Sequence, residues 1–190
     1  MLAITLIACL LATGCAQSTP PSAAAESPFS QPPSSFATTH PSDTLPGLSN
    51  FAKVSDRLYR GAQPTAEGFQ TLEKMGIKTV INLRADHDDR DLLAQTGLKY
   101  VRIPCDAMFP NDESIAAVLK ILADPAAGPV FIHCKHGADR TGMMVAAYRM
   151  RFEHWPLSAA TAELPAFGFH EIYLPIRLHL QFLKPTAPRF

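Results

Sequence analysis

The segment that most constrains this chain is Pro129-Val-Phe-Ile-His-Cys134, an unbroken run of strand formers that leads straight into a glycine-containing loop and then a helical pattern. Such a run fits a strand buried on both faces, as in a parallel sheet covered by helices on either side. The helix expected after it runs from Thr141 through about Phe152, with Met144, Ala147 and Met150 turned inward. Strand, loop and helix start together make a place where phosphates bind, because the first amides of a helix lack carbonyl partners. In His133-Cys134-Lys135-His136-Gly137-Ala138-Asp139-Arg140-Thr141-Gly142, a cysteine ends the strand and an arginine follows after five intervening residues.

A thiol attacks phosphorus only as thiolate. Loop amides, a helix N-terminus and a neighbouring arginine can bring a cysteine pKa from ~8.5 into the range of roughly 3.5 to 7.5. The same loop, residues Lys135, His136, Gly137, Ala138, Asp139 and Arg140, is expected to cradle a phosphoryl group, with Arg140 gripping two of its oxygens in fork geometry. Gly137 lets the loop curl and Gly142 permits close approach at the helix start. Thr141 can give its hydroxyl to the departing thiolate when a cysteinyl phosphate is hydrolysed.

Elsewhere the pattern alternates strands and helices. Phe51-Ala-Lys-Val and Leu58-Tyr-Arg read as short edge strands, and a helix follows from about 64 to 75 on the spacing Phe69, Leu72, Met75. Ile77 to Leu83 and Leu98 to Ile103 have the β-branched character of core strands. Asp112 or Asn111 can cap a helix carrying Ile115, Val118, Leu119 and Leu122. Two more helices are expected, Leu157 to Leu164 and about 168 to 183, with Pro165 and Pro175 blurring their ends. The βα order predicts an α/β fold with a largely parallel sheet and helices on both faces.

The first fifty residues read differently. Met1 to Gly14 is an apolar run of signal-peptide length, too short to span a bilayer as a helix, so residues 1–15 are read as an export signal. Residues 16–50 are dominated by Pro, Ser, Ala and Thr without a Lys or Arg, which predicts a disordered tether and leaves 51–190 as the folded domain. All 17 basic residues fall in that domain, with 17 − 2 = 15 acidic ones once Glu26 and Asp43 are set aside. This balance leaves no nucleic-acid footprint. There is no CxxC pair; His170-Glu171 opens like an HExxH zinc helix but meets Leu174 where the second histidine belongs, so no metal site is indicated. Nucleotide-binding glycine loops and the GxSxG elbow are also missing.

The apolar strand, His133 beside Cys134, and Arg140-Thr141-Gly142 together resemble the HC-x5-R-[ST] signature of the cysteine-based tyrosine and dual-specificity phosphatases. The order of elements is similar over about 51–185, and Lys135 with the R-T-G ending is most similar to atypical dual-specificity enzymes, including plant and fungal forms that act on inositol pyrophosphates. The resemblance implies a phosphomonoester hydrolase that needs neither metal nor cofactor, with Cys134 as nucleophile. The substrate would be a phosphorylated protein, a phosphoinositide or a small metabolite. It also implies a general acid on a loop upstream. Asp106, 134 − 106 = 28 residues before the cysteine, is the first choice; Asp112, which has an alternative task as helix cap, and Glu113 are its rivals. A catalytically inactive phosphate-binding module is the alternative, and a rhodanese-type sulfur transferase a third class.

Ala12-Thr13-Gly14-Cys15 resembles a bacterial lipoprotein box, which implies Cys15 as a lipid anchor, the membrane as a partner, and a place in the cell envelope, at the outer membrane or in the periplasm. Within the domain, Lys135 and His136 either face a second phosphate or are solvated, and Asp139 adds an opposing charge. Arg84 either lines the mouth of the site or lies on the surface. His133 either stiffens the loop or is a satisfied buried histidine. Arg102, Asp86, Asp88 and Asp89 read as solvated, and Trp155, Phe167, Phe169 and Tyr173 as core. Cys105, next to Asp106, is either a buried thiol or a partner for a reversible disulfide with Cys134.

Overall fold

The computed structural model describes residues 36–183. Cys15, the signal run and residues 16–35 of the expected tether lie outside them. In chain order the elements are β1 Ala52–Lys53, β2 Leu58–Gly61, α1 Ala66–Lys74, β3 Thr79–Asn82, α2 Arg90–Leu93, β4 Lys99–Arg102, α3 Asp112–Ala123, β5 Val130–His133, α4 Asp139–Phe152, α5 Leu157–Ala162 and α6 Leu174–Phe182. The strands form one sheet in the order β1-β2-β5-β3-β4, with β1 antiparallel and the rest parallel. This is the α/β architecture expected.

Alternation along the strands divides the core into two layers. Val80, Phe131 and Tyr100 face α1 and α2, meeting Phe69, Leu72 and Leu93. Ile81, Ile132 and Val101 face the other way, into a larger cluster with Ile115 and Val118 of α3, Met143 to Tyr148 of α4, and Ile176 and Leu180 of α6. β5 is fully buried along its length, as its composition requires.

Two expectations change and one open choice closes. Leu58-Tyr-Arg is not an edge strand: β2 pairs with β5 in parallel, Arg60 opposite Ile132, and only β1 is left outside it. The cap of α3 is Asn111, whose Oδ1 accepts from Ser114 N at 2.8 Å, so Asp112 is the first helical residue. The last expected helix is shortened to α6, because the chain turns at Gly168 with φ 77° and Pro175 fits only near a helix start.

The domain also begins earlier than residue 51. Leu48 is buried, Ser42 and Phe51 exchange backbone hydrogen bonds, Phe36 packs on Trp155, and Thr39 binds the Glu163 carboxylate. Residues 36–50 therefore form a strap along the domain rather than part of a tether. Leu45 and Leu48 supply the apolar contacts that hold it in the α1 layer. Among the described residues no helix is long and apolar enough to cross a membrane.

Candidate active site

Cys134 follows β5 at the carboxyl edge of the parallel strands, and α4 starts at Asp139, two residues sooner than expected. The loop between them is shaped by its carbonyls. His133 O accepts from Leu83 N, Cys134 O lies 3.3 Å from His133 Nδ1, and Lys135 O accepts from Gln63 N. His136 O accepts from Asn50 Nδ2 at 2.9 Å, Gly137 O from Arg60 Nη2 at 2.8 Å, and Ala138 O from Gly142 N. In a trans peptide the N–H points opposite to the C=O before it. Holding successive carbonyls outward thus turns the following amides inward, as an anion cradle requires.

Gly137 is needed twice over. Its φ is +72°, and a Cβ there would lie 2.5 Å from the carbonyl carbon of Gly61. Gly142 lets Leu164 approach α4, where a Cβ would meet its Cδ2 at 2.6 Å. Thr141 Oγ1 is buried and has no hydrogen-bond partner among the described residues. Arg140 is half-buried and its charge acts on both Asp86 and Cys105.

Three loop supports escaped the sequence reading. Arg60 is wholly buried in β2, stacked 3.6 Å over the Phe167 ring. Burial pulls its pKa down to about 10, opposed by the charges of Glu163 and Cys134. Asn50 adopts φ 51° and ties the loop to Phe167 O at 3.0 Å as well as to His136 O. Asp89, expected in solvent, is buried 3.0 Å from His133 Nε2 and accepts from Gln63 Nε2 at 2.7 Å. Burial works against its charge, but the contacts with His133, Gln63 and His87 together outweigh this and hold its carboxyl below the ordinary range. The buried His133 ring thus lies between Asp89 and the Cys134 carbonyl of the loop. An apolar neighbourhood around an arginine in Leu58-Tyr-Arg was the one available signal for Arg60.

The candidate acids separate. Asp106 sits in the exposed turn after β4, its Oδ1 accepting from Met108 N at 2.7 Å and Phe109 N at 3.3 Å. Asp112 lies 2.9 Å from His179 Nε2, and Glu113 is exposed in the first turn of α3. Lys135 and His136 are exposed, whereas Asp139 is buried and turned onto His170, accepting from its backbone N at 2.8 Å. Arg84 pairs with Asp86, an exposed carboxyl lowered to about 2 chiefly by that hydrogen bond, and donates to Gln63. Cys105 and Cys134 are both free thiols in one apolar cluster, and burial pushes Cys105 up to about 11.

The comparisons agree with this geometry. A family profile described as "DSP-PTPase phosphatase fused to NAD+ Kinase" matches residues 37–170, a span that starts inside the strap. The dual specificity protein phosphatase TpbA of Pseudomonas aeruginosa is 38% identical over 121 residues, 63% of this chain and 55% of that protein. The chain thus spans about half the length of that relative. Inositol diphosphatase DSP3 of Arabidopsis thaliana is 33% identical over 134 residues, covering 65% of this chain and 64% of that one. The crystal structure of P. aeruginosa TpbA superimposes with a TM-score of 0.67 at 31% identity, covering 77% of this chain and 91% of that chain. A cysteine-to-serine variant of TpbA in complex with phosphotyrosine gives a TM-score of 0.59 at 30% identity, over 75% and 96% of the two chains. By its family match, its sheet and its loop, the chain belongs to the DSP-PTPase family, within the cysteine-based dual-specificity phosphatase superfamily.

Proposed function

We propose that this protein hydrolyses phosphomonoesters, of tyrosine or dual-specificity type, through a cysteinyl phosphate on Cys134. The observation that carries the reading is the set of consecutive carbonyls, His133 to Ala138, held outward around a buried cysteine. In the first step the Cys134 thiolate attacks phosphorus, the P–O bond to the leaving group breaks, and the leaving oxygen takes a proton from Asp106. Loop amides and Arg140 meet the charge on the phosphoryl oxygens. In the second step water attacks phosphorus, Asp106 accepts its proton, and Cys134 departs as thiolate with a hydrogen bond from Thr141. The unpartnered, buried Thr141 Oγ1 supports that last role.

Asp106 remains the first choice for the acid because its turn follows β4 at the carboxyl edge of the strands, whereas Asp112 opens α3 beside His179. Hydrolysis of p-nitrophenyl phosphate without metal by wild type, Cys134→Ser, Asp106→Asn and Asp112→Asn tests the scheme. Wild type turns over and Cys134→Ser does not. An aryl leaving group needs little protonation, so Asp106→Asn should fall further on an alkyl phosphate, by about 100-fold. A reduced, folded wild type inert on both substrates would leave an inactive phosphate-binding module.

A second substrate, a diphosphorylated inositol, is favoured by the exposed Lys135 and His136 in the loop and by the similarity to inositol diphosphatase DSP3. Side-by-side turnover of a phosphotyrosine peptide and an inositol pyrophosphate separates the two. We also propose export with lipid attachment at Cys15, on the strength of the apolar run and Ala12-Thr13-Gly14-Cys15. Cys15→Ser should move the protein from the membrane fraction to the soluble one.

A further inference from the structure

Beside the loop, three ligating side chains converge from separate places in the chain: His136 from the loop, Asp139 from the first residue of α4, and His170 from the turn after Gly168. One ligand atom of each lies within 4.8 Å of the other two. Asp139 Oδ2 is 3.0 Å from His170 Nδ1, and the His136 and His170 rings are 5.9 Å apart. Both histidines are exposed and the carboxylate is buried beneath them. We propose that His136, Asp139 and His170 form a binding site for a divalent transition-metal ion of the zinc type. This goes beyond the hydrolase reading and does not depend on it.

The chemistry of the set selects the ion. Two imidazoles and one carboxylate suit Zn²⁺, Ni²⁺ or Cu²⁺, whereas Mg²⁺ and Ca²⁺ demand a shell of oxygens. With bonds of about 2.0 to 2.2 Å, ligand atoms of a tetrahedral zinc stand about 3.3 Å apart, so the observed cluster needs only small side-chain movements to close on an ion. The carboxylate is already oriented, since the His170 amide donates to Asp139 Oδ1 at 2.8 Å and leaves Oδ2 toward the ring. Tyr173 packs edge-on against the His170 ring and steadies it. The ion would replace a proton at the Asp139–His170 contact, with water completing its shell. Because its ligands come from three segments, it would cross-link the loop to the turn that follows the buried Phe167.

The sequence reading indicated no metal site, since His136 and His170 are 170 − 136 = 34 residues apart and match no ligand spacing. Only the fold brings them together.

The test uses the full chain carrying Cys9→Ser, Cys15→Ser and Cys134→Ser, so that the thiols of the N-terminus and loop cannot compete. Zn²⁺ is titrated calorimetrically, and Co²⁺ by its visible spectrum, with and without excess Mg²⁺. The proposal expects one equivalent of each bound, unaffected by Mg²⁺, and binding at least about 10-fold weaker in both His136→Gln and His170→Gln. Both substitutions are at exposed positions, and circular dichroism with thermal melting establishes that each variant is folded. Saturating Zn²⁺ should raise the melting temperature of the parent by more than that of either variant. No saturable binding by the parent at millimolar metal overturns the proposal, as does equal affinity in the parent and either folded histidine variant.

Discussion

Arg60 carries a charge in the sheet interior with no carboxylate bonded to it; its Nη2 donates to Gly137 O, and its face lies on Phe167. A buried guanidinium is costly unless its contacts are used, and here the use is to aim one peptide of the loop. Arg60→Met keeps the stem and removes that hydrogen bond. It should lower kcat/KM by about 100-fold, the scale of a misplacement near 1 Å. Steady-state rates check this. At Asp89 the linkage can be given a sign. Its carboxyl is held below the unfolded value near 3.8, so the stability it contributes is present above that value and is lost as pH falls through the folded one. Urea midpoints should therefore differ between wild type and Asp89→Asn by a constant amount near neutrality, and the difference should shrink below about pH 4.

Strands and helices were legible where composition and local period agree. Val130 to His133, Thr79 to Asn82 and the apolar face of α3 fall where their residues put them. What could not be read is pairing order: nothing local in Leu58-Tyr-Arg says that it lies against β5 rather than at the rim. Cys134, Arg140 and Thr141 stand together in the sequence as they do in the loop, whereas Asn50, Arg60 and Asp89 support the loop across 84, 74 and 45 residues of separation from Cys134. The strap 36–50 was hidden by its Pro and Ser content, which resembles disorder even though Leu45, Leu48 and Phe51 recur on one side. Its contribution is measurable. A protein beginning at residue 51 loses the Leu48 contacts and the Asn50 clamp, and should be less stable than one beginning at 36 by at least about 2 kcal/mol, the lower end for emptying one buried leucine site. Equilibrium urea unfolding of the two decides it. Equal midpoints would mean that the strap adds nothing.

Across the whole molecule the two layers are held by different kinds of contact. The α1 and α2 side is held by the strap as well as by apolar packing, while the α4, α5 and α6 side contains a buried ion-pair knot. Arg149 of α4 donates from Nε and Nη2 to Glu163 at 2.8 Å each, and from Nη1 to Glu153 at 2.7 Å, with its face 4.0 Å from the Trp155 ring. Burial disfavours the Arg149 charge, but the hydrogen bonds and charges of Glu163 and Glu153 together more than offset it. Thr39 of the strap binds the same Glu163 carboxylate, so one acid joins the N-terminus, α4 and the segment that leads to Phe167 and His170. Glu163→Gln keeps the shape but leaves a buried guanidinium with only one carboxylate. Removing one partner of such a pair costs about 3 to 5 kcal/mol where nothing replaces it, and Glu153 should hold the loss near the lower figure. The effect should reach the loop too, since Phe167 stacks under Arg60 and its carbonyl accepts from Asn50. Unfolding free energy and kcat/KM should thus fall together in Glu163→Gln. In Glu153→Gln, at the partly exposed arm of the knot, stability should fall by less than about 1 kcal/mol and activity should hold.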